Sequence, residues 1–280
     1  MQLKKVYLFV IFCSVLTTVS GQQYKIATFN IRYDNRNDSG NLWIDRKPYV
    51  AGLVKFHDFD IVGMQEVLKN QLDDLSSLLS DYDHVGVGRD DGKDKGEHEP
   101  VFFRKSRFAL LQHGDFWLSE TPEKPGPGWD ARLNRICTWV QLQDRQTKKK
   151  FYLFNVHFDH QGIQARNESS KLMLSKIKSI AGNSPVILTG DFNGDHQSQW
   201  YNTLATSGFI RDALKDVKEP YFNNGSFNSF GKSLTHHAVI DHIFISKDFT
   251  ATKWGVLTDS YQGKYPSDHF PVMAGIRVGK

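Results

Sequence analysis

Sheets covered by helices, an α/β (α+β) architecture, are the fold class this sequence predicts, and three observations predict it. Strand-like apolar runs recur from residue 24 to residue 278. Helix-period segments lie between several of them, and neither an internal repeat nor a linker divides the chain. At 280 residues, 39% hydrophobic with 20 Phe, the sequence suffices for one large domain with its own core.

Taken in order, residues 1–21 read as an export signal. Lys4 and Lys5 form a charged start, 6–19 is an apolar stretch, and Val19-Ser20-Gly21 offers a small-residue cleavage site. The stretch is short for a membrane span, and polar sequence follows at once. The expected mature protein is therefore residues 22–280, exported to the periplasm or the exterior, with no integral span and monomeric. Cleavage removes two lysines and leaves a formal charge of about +2, too balanced to advertise a nucleic-acid groove. It also leaves Cys137 as the one cysteine, so no intrachain disulfide holds the fold.

The strand-like runs fall at 24–31, 60–65, 101–103, 151–158, 185–189, 238–246 and 271–278. Between them, 47–56 places Val50, Leu53 and Val54 on one helical face, and 70–79 does the same with Leu72, Leu75, Leu78 and Leu79. Residues 168–181 repeat the pattern with Met173, Ile177, Ile180 and Ala181, stopped by Gly182-Asn183. Polar loops at 88–100, 119–130 and 221–233 are candidate walls of a substrate site.

Six polar signatures carry the chemistry: Thr28-Phe29-Asn30, Gln65-Glu66, Asn155-Val156-His157, Gly190-Asp191-Phe192-Asn193, Ile240-Asp241-His242 and Ser267-Asp268-His269. Most abut a strand-like run. A carboxylate beside a buried strand is costly unless something positive meets it, and a divalent cation working on a phosphoester is an economical partner. Glu66 and Asp191 each end an apolar run, and Asp191 and Asn193 share one side of an extended segment. Asn155, His157 and Asp159 alternate on one side of 151–160, opposite Tyr152, Phe154, Val156 and Phe158. Asp241 alternates with Val239, Ile243 and Ile245, so it is buried and needs a partner. His269 is the expected one, because an acid accepting one ring N–H fixes the tautomer and raises the basicity of the other nitrogen. Asp268 then points the other way, toward a metal. Hard oxygen ligands suit Mg²⁺ or Mn²⁺ rather than zinc.

Arg166, Arg135 and Glu97 are candidate substrate contacts, a surface salt bridge being the alternative for Arg166. Trp129 is either a stacking wall or a loop anchor, and Lys148-Lys149-Lys150 sits in an expected hairpin turn at 144–150. His236 and His237 lead into a strand and are not expected to be ligands.

The ordered set Asn30, Glu66, His157, Asp191 with Asn193, Asp241, and Asp268 with His269 resembles the endonuclease/exonuclease/phosphatase superfamily, the deoxyribonuclease I-like fold, over essentially the whole mature chain. Phe116-Trp-Leu-Ser-Glu-Thr-Pro, Arg135-Ile-Cys-Thr-Trp139 and His157-Phe-Asp-His160 followed by Ala165-Arg166 are similar to an exported bacterial branch akin to the carbon catabolite repressor type of deadenylase. The resemblance implies a four-layer α/β/β/α sandwich of two packed mixed sheets flanked by helices, with the site at one edge. It implies metal-dependent hydrolysis of a phosphoester by in-line attack of water. Glu66 is the implied principal metal ligand, with Asn30 and Asp268 close by; Asp191 aligns or deprotonates the water. Asn193 and His157 bind the scissile phosphate, while His269, held by Asp241, stabilises charge or shuttles a proton. Arg32 stands where some nuclease members carry an acid, which favours one tightly bound ion.

Within this frame the general base is either Asp191 or His269. A phosphatase or phosphodiesterase acting on a small phosphorylated molecule is the first expectation. A secreted nuclease acting on nucleic acid is the alternative, and a non-catalytic phosphate-ligand binding protein a remoter one.

Overall fold

A computed structural model describes residues 23–234 and 237–279. The leader expected over 1–21, and His236, lie outside the described residues; His237 lies in coil and is exposed.

Twelve strands and four α-helices account for the described chain, with two short 3₁₀ turns. The first sheet runs β11 (Phe249–Val256), β12 (Val272–Val278), β1 (Gln23–Asn30), β2 (Ile61–Gln65), β4 (Val101–Arg104), β3 (Tyr82–Val85). The second runs β5 (Phe108–Trp117), β6 (Ile136–Asp144), β7 (Lys150–His157), β8 (Val186–Asp191), β10 (Asp241–Ser246), β9 (Ile210–Asp212). Each sheet holds one parallel pair, β1 with β2 and β7 with β8, among otherwise antiparallel neighbours. Helices α1 (Trp43–Phe56) and α2 (Lys69–Leu78) cover the first sheet, and α3 (Ile163–Ala181) and α4 (Gln199–Ala205) the second.

Side-chain alternation sets the layers. On β1, Tyr24 and Ile26 enter the core between the sheets, whereas Ala27 and Phe29 meet Val50, Val54 and Leu75 of the outer helices. On β7, Phe151 and Leu153 face inward, and Tyr152, Phe154 and Val156 pack on Met173 and Ile177. The same inward faces then turn polar as the strands end: Thr28 and Asn30, Gln65, Asn155 and His157, Thr189 and Asp191. The expected four-layer sandwich is therefore present, with a polar seam between its sheets.

That seam is hydrogen-bonded throughout. Gln65 Nε2 donates to Asn155 Oδ1 at 2.7 Å and to Thr28 Oγ1 at 3.0 Å, and Thr189 Oγ1 donates to Asn155 Oδ1 at 3.0 Å. Asn155 Nδ2 reaches the carbonyl of Met64 at 2.7 Å. Asn155, expected beside His157 at the mouth of the site, instead ties the two sheets together beneath it. Gly63 is obligatory there, because a Cβ would overlap the Asn155 amide and the Thr189 hydroxyl.

Candidate active site

The parallel pairs bring their C-terminal ends to one edge of the sandwich. The register sets His157 beside Asp191 across β7–β8, and Asp191 beside Asp241 across β8–β10. Asn30 pairs with Gln65 across β1–β2, which puts Glu66 next to it at the strand end. The segment before β12 delivers Asp268 and His269. A cleft of about 780 Å³ opens here, lined among others by Glu66, His157, Asp191, Asn193, Asp268 and His269.

Asp191 is central. Its Oδ1 accepts the Asn193 backbone N–H at 2.9 Å, and its Oδ2 accepts Asn30 Nδ2 at 3.0 Å. The same Oδ2 lies 3.5 Å from His157 Nε2 and 3.7 Å from His269 Nε2. Burial, then the charge of Asp241, raise the Asp191 carboxyl to about 7.

His269 is raised as well. Its Nδ1 stands 2.9 Å from Asp241 Oδ2. Burial disfavours the imidazolium, but the charges of Asp241 and Asp191 outweigh it and raise His269 to about 10. His157 is held well below the ordinary histidine value, first by burial and then by the Arg135 and Arg89 charges. Neutral at physiological pH, its Nε2 accepts Asn193 Nδ2 at 3.2 Å. Asn193 Nδ2 also donates to the Phe158 carbonyl at 3.1 Å.

On the other side of the cleft, Glu66 and Asp268 approach the Arg32 guanidinium at 3.9 and 3.8 Å. Burial raises Asp268 to about 6, with Glu66 adding to the rise against the pull of His269. Two hard carboxylates that crowd each other in this way could hold a divalent cation. Mg²⁺ in particular needs only one or two protein carboxylates, water and substrate oxygens completing its shell. Asn30, the third expected ligand, is tied to both acids. Its Nδ2 donates to Glu66 Oε1 at 3.1 Å and to Asp191, and its Oδ1 already accepts the Arg32 N–H at 3.0 Å. It bridges the two acids as a donor. Glu66 (φ 61°), Asn193 (φ 46°) and Arg32 (φ 59°) all adopt left-handed backbone, a strained conformation for such residues and one that gathers at functional sites.

The candidate substrate contacts divide. Glu97 and Arg135 line the cleft, and Arg166 is not among the lining residues. Arg166 Nη1 donates to the Asp159 carbonyl at 2.9 Å, and its guanidinium lies 4.5 Å from the Trp200 ring centre, so it is neither at the cleft nor in a surface salt bridge. Arg135 is held by Asp159 at 3.4 Å and His160 at 3.0 Å. Glu97 pairs with Arg89 at 2.5 Å, yet burial and the charge of Glu66 raise it to about 7. Of the three loops expected as walls, 88–100 contributes Arg89 and Glu97, and 221–233 contributes Phe227 and Ser229. No residue of 119–130, Trp129 included, lines the cleft.

Arg32, Tyr33, Arg89, Leu133, His160, Phe227 and Ser229 line the cleft without having been singled out as contacts. Behind the lining lies Glu99, which is fully enclosed: neither of its oxygens has a hydrogen-bond partner, and Oε1 stands 3.8 Å from His157 Nδ1.

Residues 27–269 match the Endonuclease/Exonuclease/phosphatase family. The chain belongs to that family. Its members are phosphoester hydrolases, and so is this protein, with a phosphoester as its substrate. Among solved structures, an endonuclease/exonuclease/phosphatase family protein from Bacteroides thetaiotaomicron is 44% identical, with a TM-score of 0.90 over 93% of this chain and 99% of that one. A mannosyl-6-phosphatase from the same organism is also 44% identical, with a TM-score of 0.87 over 90% of this chain and 99% of that one. Carbon catabolite repressor protein 4 homolog 3 from Arabidopsis thaliana is 28% identical over 53% of this chain, which spans about a third (32%) of that relative. The superfamily expected from the sequence is thus present, and the carbon catabolite repressor relative matches the likeness that its motifs carried. Among the described residues no helix is long and apolar enough to cross a membrane.

Proposed function

We propose that this protein hydrolyses phosphate monoesters of small polar molecules, sugar phosphates foremost, with one Mg²⁺ or Mn²⁺ held by Glu66 and Asp268. What carries the reading is the gathering of Asp191, His269, His157 and Asn193 around one hollow, with the Asp191 carboxyl raised to about 7 and the His269 imidazole to about 10. A carboxyl poised near neutrality beside an imidazolium is suited to moving one proton while holding one charge. When bound, the divalent cation supplies Lewis-acid polarisation of a phosphoryl oxygen. Asp191 Oδ2 takes the proton of the attacking water as the water oxygen bonds to phosphorus and the ester P–O bond breaks, the leaving alkoxide gaining a proton from solvent and departing as the alcohol. His269, already protonated, cannot serve as that base; it faces the phosphoryl oxygens and stabilises their growing charge. The Asn193 amide and neutral His157 fix the phosphate for in-line attack once they release each other, Asn193 Nδ2 and His157 in its Nε2–H tautomer then donating to phosphoryl oxygens.

The monoester preference draws on the 44% identical relative named as a mannosyl-6-phosphatase, and on the place of the basic run. Lys148–Lys150 adjoins the start of β7 while His157 ends it, roughly 23 Å away at strand rise, so it offers the cleft no track for a nucleic-acid backbone. Together with the expected leader, the reading is of an exported enzyme acting outside the cytoplasm. Purified protein with Mg²⁺ or Mn²⁺, assayed on hexose phosphates, nucleotides, an aryl phosphodiester, RNA and DNA, tests it. A kcat/KM for a sugar phosphate about 100-fold above any diester is the expected result; preferential cleavage of RNA or DNA would replace this reading with the nuclease one.

A further inference from the structure

We propose that His196, Asp212 and His242 form a second metal site, for a transition-metal ion of the Zn²⁺ type, behind the wall of the cleft. One ligand atom from each of the three side chains lies within 4.8 Å of the others. His242 follows Asp241 on β10 and faces the outer side of the sheet, where Asp212 ends the neighbouring β9. His196 comes from the loop after β8, three residues beyond Asn193.

The hydrogen bonds fix which atoms are available. His242 Nε2 lies 2.9 Å from the Gly194 carbonyl, which can only accept, so that nitrogen carries the proton. In the neutral ring Nδ1 is then a lone pair. It has no hydrogen-bond partner, the side chain is fully buried, and it faces Asp212 Oδ2 at 3.5 Å. His196 Nε2 is likewise unpartnered and faces the same oxygen at 3.6 Å. A cation between these two ring nitrogens and the carboxylate oxygen would satisfy all three.

The distances choose the charge. Charge-assisted hydrogen bonds run to about 2.7–2.9 Å, well short of 3.5 and 3.6 Å. Neighbouring ligands around a tetrahedral ion with bonds of ~2.0–2.1 Å stand roughly 3.3–3.4 Å apart, close to what is found. Asp212 is oriented as ligating carboxylates are: Tyr201 Oη donates to Oδ2 at 2.9 Å and the Leu214 N–H to Oδ1 at 2.9 Å. The Gly194 carbonyl does the same for His242. Two imidazoles and a carboxylate suit zinc, unlike the all-oxygen pair Glu66 and Asp268. His196 is partly exposed and borders a recess of about 350 Å³ with Leu214, Lys215, Pro220 and Phe222, the side from which an ion would enter. The ion would tie the loop that carries Asn193 to β9 and β10, bracing the phosphate side of the cleft from outside.

Titration of the purified protein with Co²⁺ in excess Mg²⁺, followed by visible d–d absorption and by melting temperature, tests the site. Wild type should take up one Co²⁺ with a tetrahedral band, lose the band to Zn²⁺, and melt higher with either ion. His196→Ala and His196→Gln, at a side chain exposed enough to change without unfolding, should weaken binding about 100-fold or more and remove the stabilisation. His269→Ala and His157→Ala, which dismantle the other histidine-containing clusters, should leave the band unchanged. No tetrahedral band in wild type, or an undiminished one in folded His196→Ala, overturns the proposal.

Discussion

Asp241 Oδ2 stands 2.9 Å from His269 Nδ1, and the Asp241 charge, helped by Asp191, raises this buried cleft histidine to about 10. Removing the charge but not the shape separates its effects. In Asp241→Asn the stabilisation of the imidazolium is lost, so the His269 value falls. Activity that needs the protonated ring should then decline at lower pH, moving the alkaline limb of the pH–rate profile downward. kcat should drop by roughly 10²–10⁴-fold with KM little changed. Full pH–rate profiles of both proteins check the shift.

Asp191 is assigned the proton of the attacking water. Asp191→Asn keeps the hydrogen bond from Asn193 and removes the base, so kcat should fall by about 10³-fold or more while the thermal transition stays sharp. Retained activity would return the base role to another group.

Asp159 supports Arg135 from below, and its pH signature is its own. Burial raises its carboxyl, but the Gly162 and Gln161 N–H groups and the Arg135 charge pull it down further, to about 2. A depressed carboxylate stabilises the fold fully above its unfolded value near 4, and the contribution disappears as pH falls through about 2. Asp159→Asn should therefore cost about 2–3 kcal/mol from pH 7 down to about 4, with the gap to wild type closing between about 4 and 2. Urea unfolding across that range measures it. KM should rise in the same variant, because Arg135 lines the cleft.

Gly63 lies under the seam between the sheets. Gly63→Ala drives a methyl into Asn155 and Thr189, whose hydrogen bonds hold β2 against β7 and β8. A loss of about 1–3 kcal/mol is expected, read as a lower melting temperature.

Much of this was legible in the sequence. Alternation alone placed Asn155 and His157 on one side of β7, and Asp241 among apolar neighbours in want of a partner. The ordered polar signatures led to the family and to the sandwich. What escaped has physical reasons. β5 and β11 each carry an irregularity, between Leu110 and Gln112 and between Ala251 and Lys253, which breaks the period of two. β3 and β9 have four and three residues, too few for any period to show. α4 has seven, and only its Ser198 cap, accepting the Tyr201 N–H, announced it. α1 begins at Trp43 rather than 47 despite Pro48, because Arg46 is drawn inside by the carbonyls of Ile31 and Pro266. Asn155 and Asn30 show the deeper limit. Their side of the strand could be read, but whether an amide offers its N–H or its oxygen depends on strands distant in sequence.

On the function proposed above, Glu66 and Asp268 hold the divalent cation that the Asp191–His269 pair needs for phosphoester hydrolysis. Hydrolysis of a sugar phosphate by wild type and Glu66→Gln, in chelator and after Mg²⁺ or Mn²⁺ is restored, tests it most directly. No turnover is expected in chelator, with recovery in wild type on adding either ion and at least ~10²-fold less recovery in Glu66→Gln at the same ion concentration. Undiminished turnover in chelator, or equal recovery in Glu66→Gln, would contradict it.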